Sequence, residues 1–409
     1  MSPKGLKLKH WISMRKMKKF LFICTVMMFI TVKYSPRFLR NHFVLLKKRT
    51  QTTPTMQAST NPQTKMKYIL QWTKSYTEPF IFMERGQRVF IKRHCLVDNC
   101  FVTSNRSHLN NIRDFDAVLF HGPELSSSAI RLPSKRSPRQ KYVFVSTESS
   151  AYYPIKHNVY DEYFNWTWTY RLNSDVYYGY FIIKNKEGNI IGPKKVMHWL
   201  KVKDMKPIDD KLKQKLQSKK IAAAWFVSQC NMANKREEIA KSLQKELAKY
   251  NMKADIYGVC GDKYCPRKQM KKCLKMLETD YYFYLSFENT ITDDYVTEKL
   301  LHALQHYTIP IVYGGANYTR FMPEGIYLSA RKSRIRELAK EMVDIINDKQ
   351  KYYDFFKWHN HYSYHDLRES RDTDPYCKLC ALINNNEQFL RTSIYENFSQ
   401  WWNPQYKCK

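Results

Sequence analysis

Residues 281–315 combine polar side chains suited to anion binding with the elements that would position them. An apolar and aromatic run beginning at Tyr281 predicts a buried strand, and Thr308–Tyr313 predicts a second strand that ends at Gly314–Gly315. Between them, the acidic pair Asp293–Asp294 predicts the start of a helix, which it would cap and whose positive end it would favour. Such a strand–turn–helix–strand unit is typical of parallel α/β sheets that bind nucleotides, because the helix start offers free N–H groups to an anion.

The predicted helix carries side chains that could take part directly in chemistry. Tyr295 and Lys299 are four residues apart and would share a helix face, with Glu298 beside them. The polar turn that precedes the helix contributes Asn289. For all four residues the simpler alternative is a solvated helix surface or ordinary capping and core contacts.

The same segment resembles the donor-binding signature of the α1,3-fucosyltransferases, in the order SFEN, DYVTEKL and PIVYGG. Members of this family transfer L-fucose from GDP-fucose to N-acetylglucosamine in glycans. The resemblance implies that Asn289, Tyr295 and Glu298 hold base, ribose or fucose hydroxyls, and that Lys299 meets the diphosphate. Thr290 stands where the family usually has serine.

A second candidate cation, Arg236, follows another predicted strand. Ile221–Val227 is predicted to be a strand and Arg236–Tyr250 an amphipathic helix, with a polar loop between them. Phosphate groups commonly bind at the helix start of such a strand–loop–helix unit. The segment resembles the family's WVVSNW-x5-R block, whose arginine contacts the nucleotide diphosphate. Gln229 and Cys230 replace the usual Asn-Trp. A surface arginine at a helix start is the alternative.

The general base is predicted at Glu148, in the first half of the chain. Lys141–Ser146 reads as a strand, and a carboxylate just beyond a strand end is well placed to deprotonate a hydroxyl. This segment resembles the family's Glu-Ser block, whose glutamate is the catalytic base, and Phe164–Arg171 resembles its FNLTLTYRRDSD block. Ser150 replaces the family's proline. The implied mechanism is a single inverting displacement through an oxocarbenium-like transition state.

No convincing Asp-x-Asp motif accompanies these residues, so no metal ligands are predicted. Cations and backbone N–H groups are expected to meet the departing diphosphate instead. No cofactor is expected to be required, and stimulation by a divalent cation such as Mn²⁺ or Mg²⁺ stays open.

Short apolar runs bounded by polar turns predict an α/β fold in two domains, at residues 68–205 and 206–409, the second with a returning C-terminal segment. Tyr68–Trp72 and Asp116–His121 are further predicted strands. The family resemblance covers roughly Tyr68–Cys380. It implies two Rossmann-like domains that face a cleft in the glycosyltransferase B arrangement, with the acceptor on the first domain and GDP-fucose on the second.

The first 50 residues contain 13 Lys or Arg and no Asp or Glu, and Phe20–Val32 is a continuous apolar run. We predict a cytoplasmic tail at 1–19, a signal-anchor transmembrane helix at 20–34 and a stem at 35–67. A cleaved signal peptide and a buried core helix are the alternatives, but no small-x-small cleavage site follows and the flanks are basic. The expected location is the Golgi membrane, as a single-pass type II protein with a luminal catalytic domain.

Sequons and cysteines favour the luminal placement. N-x-Ser/Thr sequons occur at Asn105, Asn165, Asn317 and Asn397. Close cysteine pairs predict local disulfides in an oxidising compartment, namely Cys95/Cys100, Cys260/Cys265 and Cys377/Cys380. A zinc site built from the last two pairs is the alternative. Nine cysteines follow the apolar run, so at least one is expected to stay free or to pair between chains.

The spacing of Cys260, Cys265 and Cys273 resembles invertebrate-like members that act on the N-glycan core more than Lewis-type members. The acceptor, core or antennary, stays open.

The net charge of +32 favours an anionic partner such as a nucleotide diphosphate, although a solvated basic surface is the simpler alternative. No helix-turn-helix, zinc-finger or RNA-binding motif occurs, and no nucleic-acid partner is expected.

The expected partners are GDP-fucose, N-glycan acceptors and the membrane, and a homo-oligomer stays open. Another luminal metal-independent glycosyltransferase, or a non-catalytic glycan-binding protein on the same fold, is the alternative function.

Overall fold

Parallel β-sheets organise the part of the chain that the structure describes. The computed structural model describes residues 65–73, 78–127, 130–156, 158–330 and 334–403, all within one unit that spans Thr64–Lys409. The predicted tail and anchor, and all but the last residues of the stem, lie outside these ranges. Within them, no helix is both long and apolar enough to cross a bilayer.

The first sheet is built from short strands whose side chains are buried on both faces, as expected of parallel strands covered by helices. The strands are β1 (Lys67–Gln71), β2 (Cys100–Thr103), β3 (Ala117–His121), β4 (Lys141–Ser146), β5 (Trp166–Thr169) and β6 (Val176–Tyr177). They pair in the order β2-β1-β3-β4-β5-β6, all parallel. The helices of this half are α1 (Arg88–Lys92) and α2 (Gly122–Ser127). The strands predicted at β1, β3 and β4 are confirmed.

The second sheet is also parallel and follows the chain from residue 221. Its strands are β9 (Ile221–Val227), β10 (Ala254–Gly258), β11 (Tyr281–Phe287), β12 (Ile309–Tyr313) and β13 (Leu328–Ser329), in the order β10-β9-β11-β12-β13. Around them lie α3 (Asp210–Leu216), α4 (Arg236–Ala248), α5 (Met270–Asp280), α6 (Glu298–Gln305), α7 (Ile335–Asn347) and α8 (Lys349–Asp354). The α/β prediction with parallel sheets is confirmed.

The C-terminal residues return to the first half of the chain. An antiparallel sheet in the order β14-β7-β8 joins β7 (Phe181–Asn185) and β8 (Ile190–Gly192) to β14 (Tyr362–Asp366). Three helices follow, α9 (Pro375–Asn384), α10 (Asn386–Leu390) and α11 (Phe398–Trp402). Tyr376 of α9 shares a core with strands of the first sheet, and the Phe398 and Trp402 rings contact Phe144 of β4.

The start of α6 differs from the prediction. The helix begins at Glu298, so Asp293 and Asp294 do not cap it. Asp294 adopts a left-handed φ of 57° and its carboxylate accepts from Arg320 Nη1 at 2.7 Å and from the Leu172 N–H at 3.3 Å. Tyr295 lies in the turn before the helix and does not share a helix face with Lys299. The prediction was wrong because Asp294 is used in a long-range ion pair.

The local disulfide pairs were also predicted wrongly. Cys95 bonds to Cys377 and Cys100 to Cys380, while Cys230 bonds to Cys260 and Cys265 to Cys273. Cys377 and Cys380 are one turn apart on α9, and both point to the segment that follows α1 because α9 packs there. The zinc alternative is wrong as well, since all four of its cysteines are in disulfide bonds. Cys408 lies outside the described residues.

The asparagines of the four sequons differ in whether their side-chain amides are hydrogen-bonded within the fold. This difference predicts which of them carry N-glycans. Asn165 Oδ1 accepts from Arg136 Nη2 and from the Tyr142 N–H at 2.8 Å, and its Nδ2 donates to the Ser393 carbonyl at 2.7 Å. The side chains of Asn105, Asn317 and Asn397 are exposed. We expect N-glycans on these three residues and not on Asn165, because a glycan there would displace a structural hydrogen bond. Peptide mass mapping of the secreted protein before and after glycan removal measures this, and a glycan on Asn165 would contradict it.

Candidate active site

The carboxyl ends of both parallel sheets open on one cleft of about 1330 Å³. Side chains that follow β3 and β4 line it from the first sheet, and side chains that follow β9, β10 and β11 line it from the second. All the residues predicted from sequence to bind or react lie on its walls, namely Glu148, Arg236, Asn289, Tyr295, Glu298 and Lys299. The structure therefore brings together groups that are up to 151 residues apart in the sequence.

Glu148 lies two residues beyond the end of β4, where Ser146 Oγ donates to its backbone carbonyl at 2.9 Å. Its carboxylate accepts a hydrogen bond from the Tyr295 hydroxyl at 3.1 Å. Burial raises the pKa of Glu148, and the Tyr295 hydrogen bond and the Lys299 charge oppose that rise in part. A carboxylate with a raised pKa that faces a cleft is suited to take a proton from a hydroxyl.

Tyr295 lines the cleft but lies before α6, not within the helix as predicted. Its side chain is only 2% exposed, its ring packs edge-on against Tyr170, and its hydroxyl meets Glu148. Beside it, Thr290 Oγ1 donates to Ser149 Oγ at 2.8 Å. The turn between β11 and α6 therefore holds the Glu148 segment in place from the opposite sheet, and Tyr295 acts as a positioning residue for Glu148.

The Tyr295 hydrogen bond predicts a pH effect. A donor to the carboxylate stabilises its charged form, so Tyr295→Phe should raise the pKa of Glu148 further. If Glu148 must be ionised for transfer, kcat/KM is lost as pH falls through that pKa, and the acid limb of the profile should move to higher pH in the variant. Reaction rates measured across pH, with the exposed Tyr250→Phe as control, check this. An unmoved acid limb would contradict it.

Lys299 lies in the first turn of α6 and is the centre of a charged group. Its Nζ donates to Thr297 Oγ1 at 2.7 Å, to Glu288 Oε2 at 3.1 Å and to Glu298 Oε1 at 3.4 Å. Burial alone would lower the pKa of Lys299, but Glu288 and Glu298 outweigh burial and hold that pKa above its ordinary value. The ammonium is therefore charged at neutral pH and lies on the cleft wall.

Glu288 is a residue that sequence reasoning missed. Its side chain is almost fully buried, and it accepts from the Thr297 N–H at 2.8 Å and from Thr297 Oγ1, at the start of α6. The anion-binding position predicted at this helix start is thus partly taken by the chain's own carboxylate. Burial raises the pKa of Glu288, with Lys299 opposing the rise. The sequence shows only a polar turn here, and the signal that could have found Glu288 is its place directly after a buried strand.

Glu298 differs from Glu288 because its side chain is half exposed. Burial would raise its pKa, but Lys299 and His302 oppose burial and the pKa lies below its ordinary value. Glu298 therefore stays ionised, and a carboxylate that is charged and accessible can accept hydrogen bonds from sugar or ribose hydroxyls.

Arg236 begins α4 and is 3% exposed, its guanidinium lying over the Trp225 ring. Nη1 donates to the Phe287 carbonyl at 3.0 Å and Nη2 to the Gln229 carbonyl at 2.8 Å. Nε is buried and has no hydrogen-bond partner among the described residues. Arg236 therefore joins the loops that follow β9 and β11, and places a buried positive charge at the floor of the cleft.

Asn289 lies on the same floor, next to Gln229. Its Nδ2 donates weakly to Gln229 Oε1 at 3.5 Å, and its Oδ1 has no partner within the described part of the chain. Asn289 lines the cleft, so its side-chain amide can bind a ligand hydroxyl. Cys230, which follows Gln229, is bonded to Cys260 and so fixes this loop.

His121 ends β3, next to β4, and is a second cleft residue that the sequence did not single out. Burial lowers its pKa to about 4, with a hydrogen bond to the Glu78 backbone opposing the shift. The imidazole is therefore neutral at physiological pH. It lies on the same sheet edge as Glu148, and its only signal in the sequence is its place at the end of a predicted strand.

The cleft lies between the carboxyl ends of two parallel sheets and carries a carboxylate from the first sheet and cations from the second, an arrangement suited to group transfer from an anionic donor. Two family models match this chain: residues 64–181 match "Fucosyltransferase, N-terminal", and residues 216–401 match "Glycosyltransferase family 10 (fucosyltransferase) C-term". The chain belongs to the α1,3-fucosyltransferase family and is a glycosyltransferase.

Similar proteins include two from Drosophila melanogaster. Alpha-(1,3)-fucosyltransferase C is 36% identical over 316 residues, which cover 76% of this chain and 70% of the relative. Glycoprotein 3-alpha-L-fucosyltransferase A is 30% identical over 324 residues, which cover 78% of this chain and 58% of the relative. A crystal structure of an α1,3-fucosyltransferase with GDP-fucose matches at 15% identity and a TM-score of 0.46, covering 85% of this chain and 95% of that one.

Proposed function

We propose that this protein is an inverting α1,3-fucosyltransferase that moves L-fucose from GDP-fucose to N-acetylglucosamine of protein-linked glycans. The observation that carries the proposal is the arrangement of the cleft, which is lined by Glu148 from the first sheet and by Arg236 and Lys299 from the second. The family supports fucose as the transferred sugar. The Drosophila relative named glycoprotein 3-alpha-L-fucosyltransferase A supports a protein-linked acceptor.

Glu148 is the general base in this proposal. Its carboxylate takes the proton of the attacking acceptor hydroxyl, whose oxygen forms a bond to the anomeric carbon of fucose. The bond from that carbon to the β-phosphate oxygen breaks on the opposite face, and its electron pair leaves with GDP, which inverts the anomeric configuration. The hydrogen bond from Tyr295 fixes the carboxylate and leaves its second oxygen available for the acceptor.

Arg236 and Lys299 stabilise the charge that develops on GDP as it leaves. Both cations are already held by protein partners, Arg236 by two carbonyls and Lys299 by Glu288 and Thr297. They therefore need little reorganisation during the reaction, which is the condition under which charge stabilisation is most effective. Glu298 and the side-chain amide of Asn289 would form hydrogen bonds with donor hydroxyls.

The proposed location is the Golgi membrane, with the catalytic unit in the lumen and the N-terminal residues in the cytoplasm. The four disulfide bonds of the described residues support it, because such bonds persist in oxidising compartments. No metal is assigned a step, and the proposal leaves Mn²⁺ or Mg²⁺ a stimulating role at most.

The direct test incubates the full chain, purified from a secretory host, with GDP-fucose and a panel of N-glycan acceptors. Mass spectrometry and linkage analysis would show addition of α1,3-linked fucose. A parallel panel of sugar nucleotides covers the alternative of another luminal transferase. Transfer of a different sugar without fucose transfer would overturn the donor assignment, and donor binding without transfer to any acceptor would favour a glycan-binding role.

A further inference from the structure

The loop between β10 and α5, residues 259–269, is covalently fixed at the edge of the cleft; we call it the stapled loop. Cys260 in it bonds to Cys230 in the loop after β9, and Cys265 bonds to Cys273 in α5. The loop also folds back on β10, where the Gly258 N–H donates to the Lys263 carbonyl at 2.8 Å. The close approach requires glycine at Gly258, whose φ is 98° and whose added Cβ would lie 2.1 Å from the Val227 carbonyl oxygen.

Two large side chains of this rigid segment are left uncovered although they line the cleft. Tyr264 is 83% exposed and Val259 is 78% exposed. Apolar and aromatic residues on the neighbouring strand ends form the wall beside them, namely Phe226, Tyr257 and Tyr284. An exposed aromatic ring on a cross-linked loop at the edge of a cleft is suited to stack on a planar ligand, because little backbone entropy is lost when the ligand binds.

The positions of the cations indicate which part of a donor would reach this loop. β9 is the strand between β10 and β11, Arg236 follows β9, and Lys299 follows β11. A diphosphate between the two cations lies over β9 and β11, with the transferred sugar directed to Glu148. The nucleoside must then extend away from Glu148, and the wall that remains on this sheet is the end of β10 with the stapled loop.

We propose that the stapled loop reads the purine base of the donor nucleotide: Tyr264 stacks on the base, and Arg267 donates to its O6 and N7 edge. Arg267 lines the cleft and is exposed, and its side chain has no ion pair or hydrogen bond among the described residues. A guanidinium donating to O6 and N7 is the standard way to select guanine, because adenine presents a donor at that edge. This inference rests on the proposed function, since it takes a GDP-linked donor as the ligand.

The test is titration of GDP and ADP into the full chain by calorimetry, with Tyr264→Ala, Tyr264→Phe and Arg267→Ala as variants. Loss of stacking should weaken both nucleotides by about five- to a hundredfold in Tyr264→Ala, while Tyr264→Phe keeps the affinity of the parent. Arg267→Ala should lower the preference for GDP over ADP by about tenfold or more. Tyr250→Ala, an exposed tyrosine on the surface beyond α4, is the matched control and should change neither value.

Kinetics separate base reading from a structural role. The base does not change during transfer, so Tyr264→Ala should raise KM for GDP-fucose and leave kcat unchanged, whereas a loop that lost its shape would lower kcat. GDP binding by Tyr264→Ala equal to that of the parent, or an unchanged GDP preference in Arg267→Ala, would overturn the inference and leave the proposed function standing. A correctly folded parent that fails to bind GDP would overturn the proposed function and this inference with it.

Discussion

Glu148→Gln is expected to lower kcat for fucose transfer by about 10²- to 10⁴-fold, which is the usual contribution of a positioned general base. Glutamine keeps the shape of the side chain and can still accept the Tyr295 hydrogen bond, but it cannot take a proton from the acceptor hydroxyl. GDP-fucose should bind as in the parent, because the proposed base acts on the acceptor side of the reaction. Initial rates at saturating donor and acceptor, with GDP-fucose affinity measured by calorimetry, test both statements.

The matched control for this variant is Glu187→Gln, an exposed glutamate in the turn between β7 and β8 that lies away from the cleft. Thermal unfolding of both variants shows whether the fold is intact. If Glu148→Gln folds normally and transfers fucose at the rate of the parent, Glu148 is not the base, and another carboxylate of the cleft must be considered. If transfer and donor affinity fall together, Glu148 acts in donor binding instead.

The strands were predictable because each buried strand is a short apolar segment in the local sequence. Tyr142–Val145 and Ile221–Val227 are continuous apolar runs, and the structure has β4 at Lys141–Ser146 and β9 at Ile221–Val227. Strands of parallel sheets are buried on both faces, so each run reads as a strand without knowledge of its neighbours. Since site residues follow strand ends in such folds, the same runs also located Glu148 and Arg236.

Features that depend on distant contacts were not predictable in this way. Cys95 and Cys377 are separated by 282 residues, and only the packing of α9 on the first half of the chain brings them together. The contact of Tyr295 with Glu148 spans 147 residues and both sheets. Asp294 looked like a helix cap because its partner, Arg320, is distant in the sequence. The local pattern of apolar residues predicts where strands and helices lie in the sequence. The partners of cysteines, hydrogen bonds and ion pairs depend on how those elements pack together.

Glu288 shows how this limit affects the reading of the site. From sequence, the helix start that precedes Lys299 is an open position for an anion, whereas in the structure the Glu288 carboxyl group lies there and accepts hydrogen bonds from Thr297. The side of the cleft formed by the second sheet therefore carries two cations together with Glu288 and Glu298, and is not a purely positive surface. Diphosphate binding must then depend on the placement of the two cations more than on the net charge of +32.

Lys299→Met is accordingly expected to lower kcat by about 10²- to 10³-fold, the effect of removing one preorganised charge that stabilises a leaving group. Methionine keeps most of the length of the side chain but removes the ammonium. The loss should be larger in kcat than in the affinity for GDP-fucose, because the charge on GDP grows as the bond to fucose breaks. Transfer rates, GDP-fucose titration and thermal unfolding measure the three quantities.

A second variant distinguishes loss of the Lys299 charge from loss of folding stability. Lys299→Met leaves the buried Glu288 without its ion-pair partner, and an unpaired buried carboxylate can cost several kcal/mol of stability. Lys299→Met combined with Glu288→Gln removes both charges, so it should recover stability without recovering transfer. The exposed Lys241→Met of α4 is the surface control. If the double variant transfers fucose at a rate near that of the parent, the ammonium of Lys299 serves only to neutralise Glu288, and the stabilisation of leaving GDP must come from Arg236 alone.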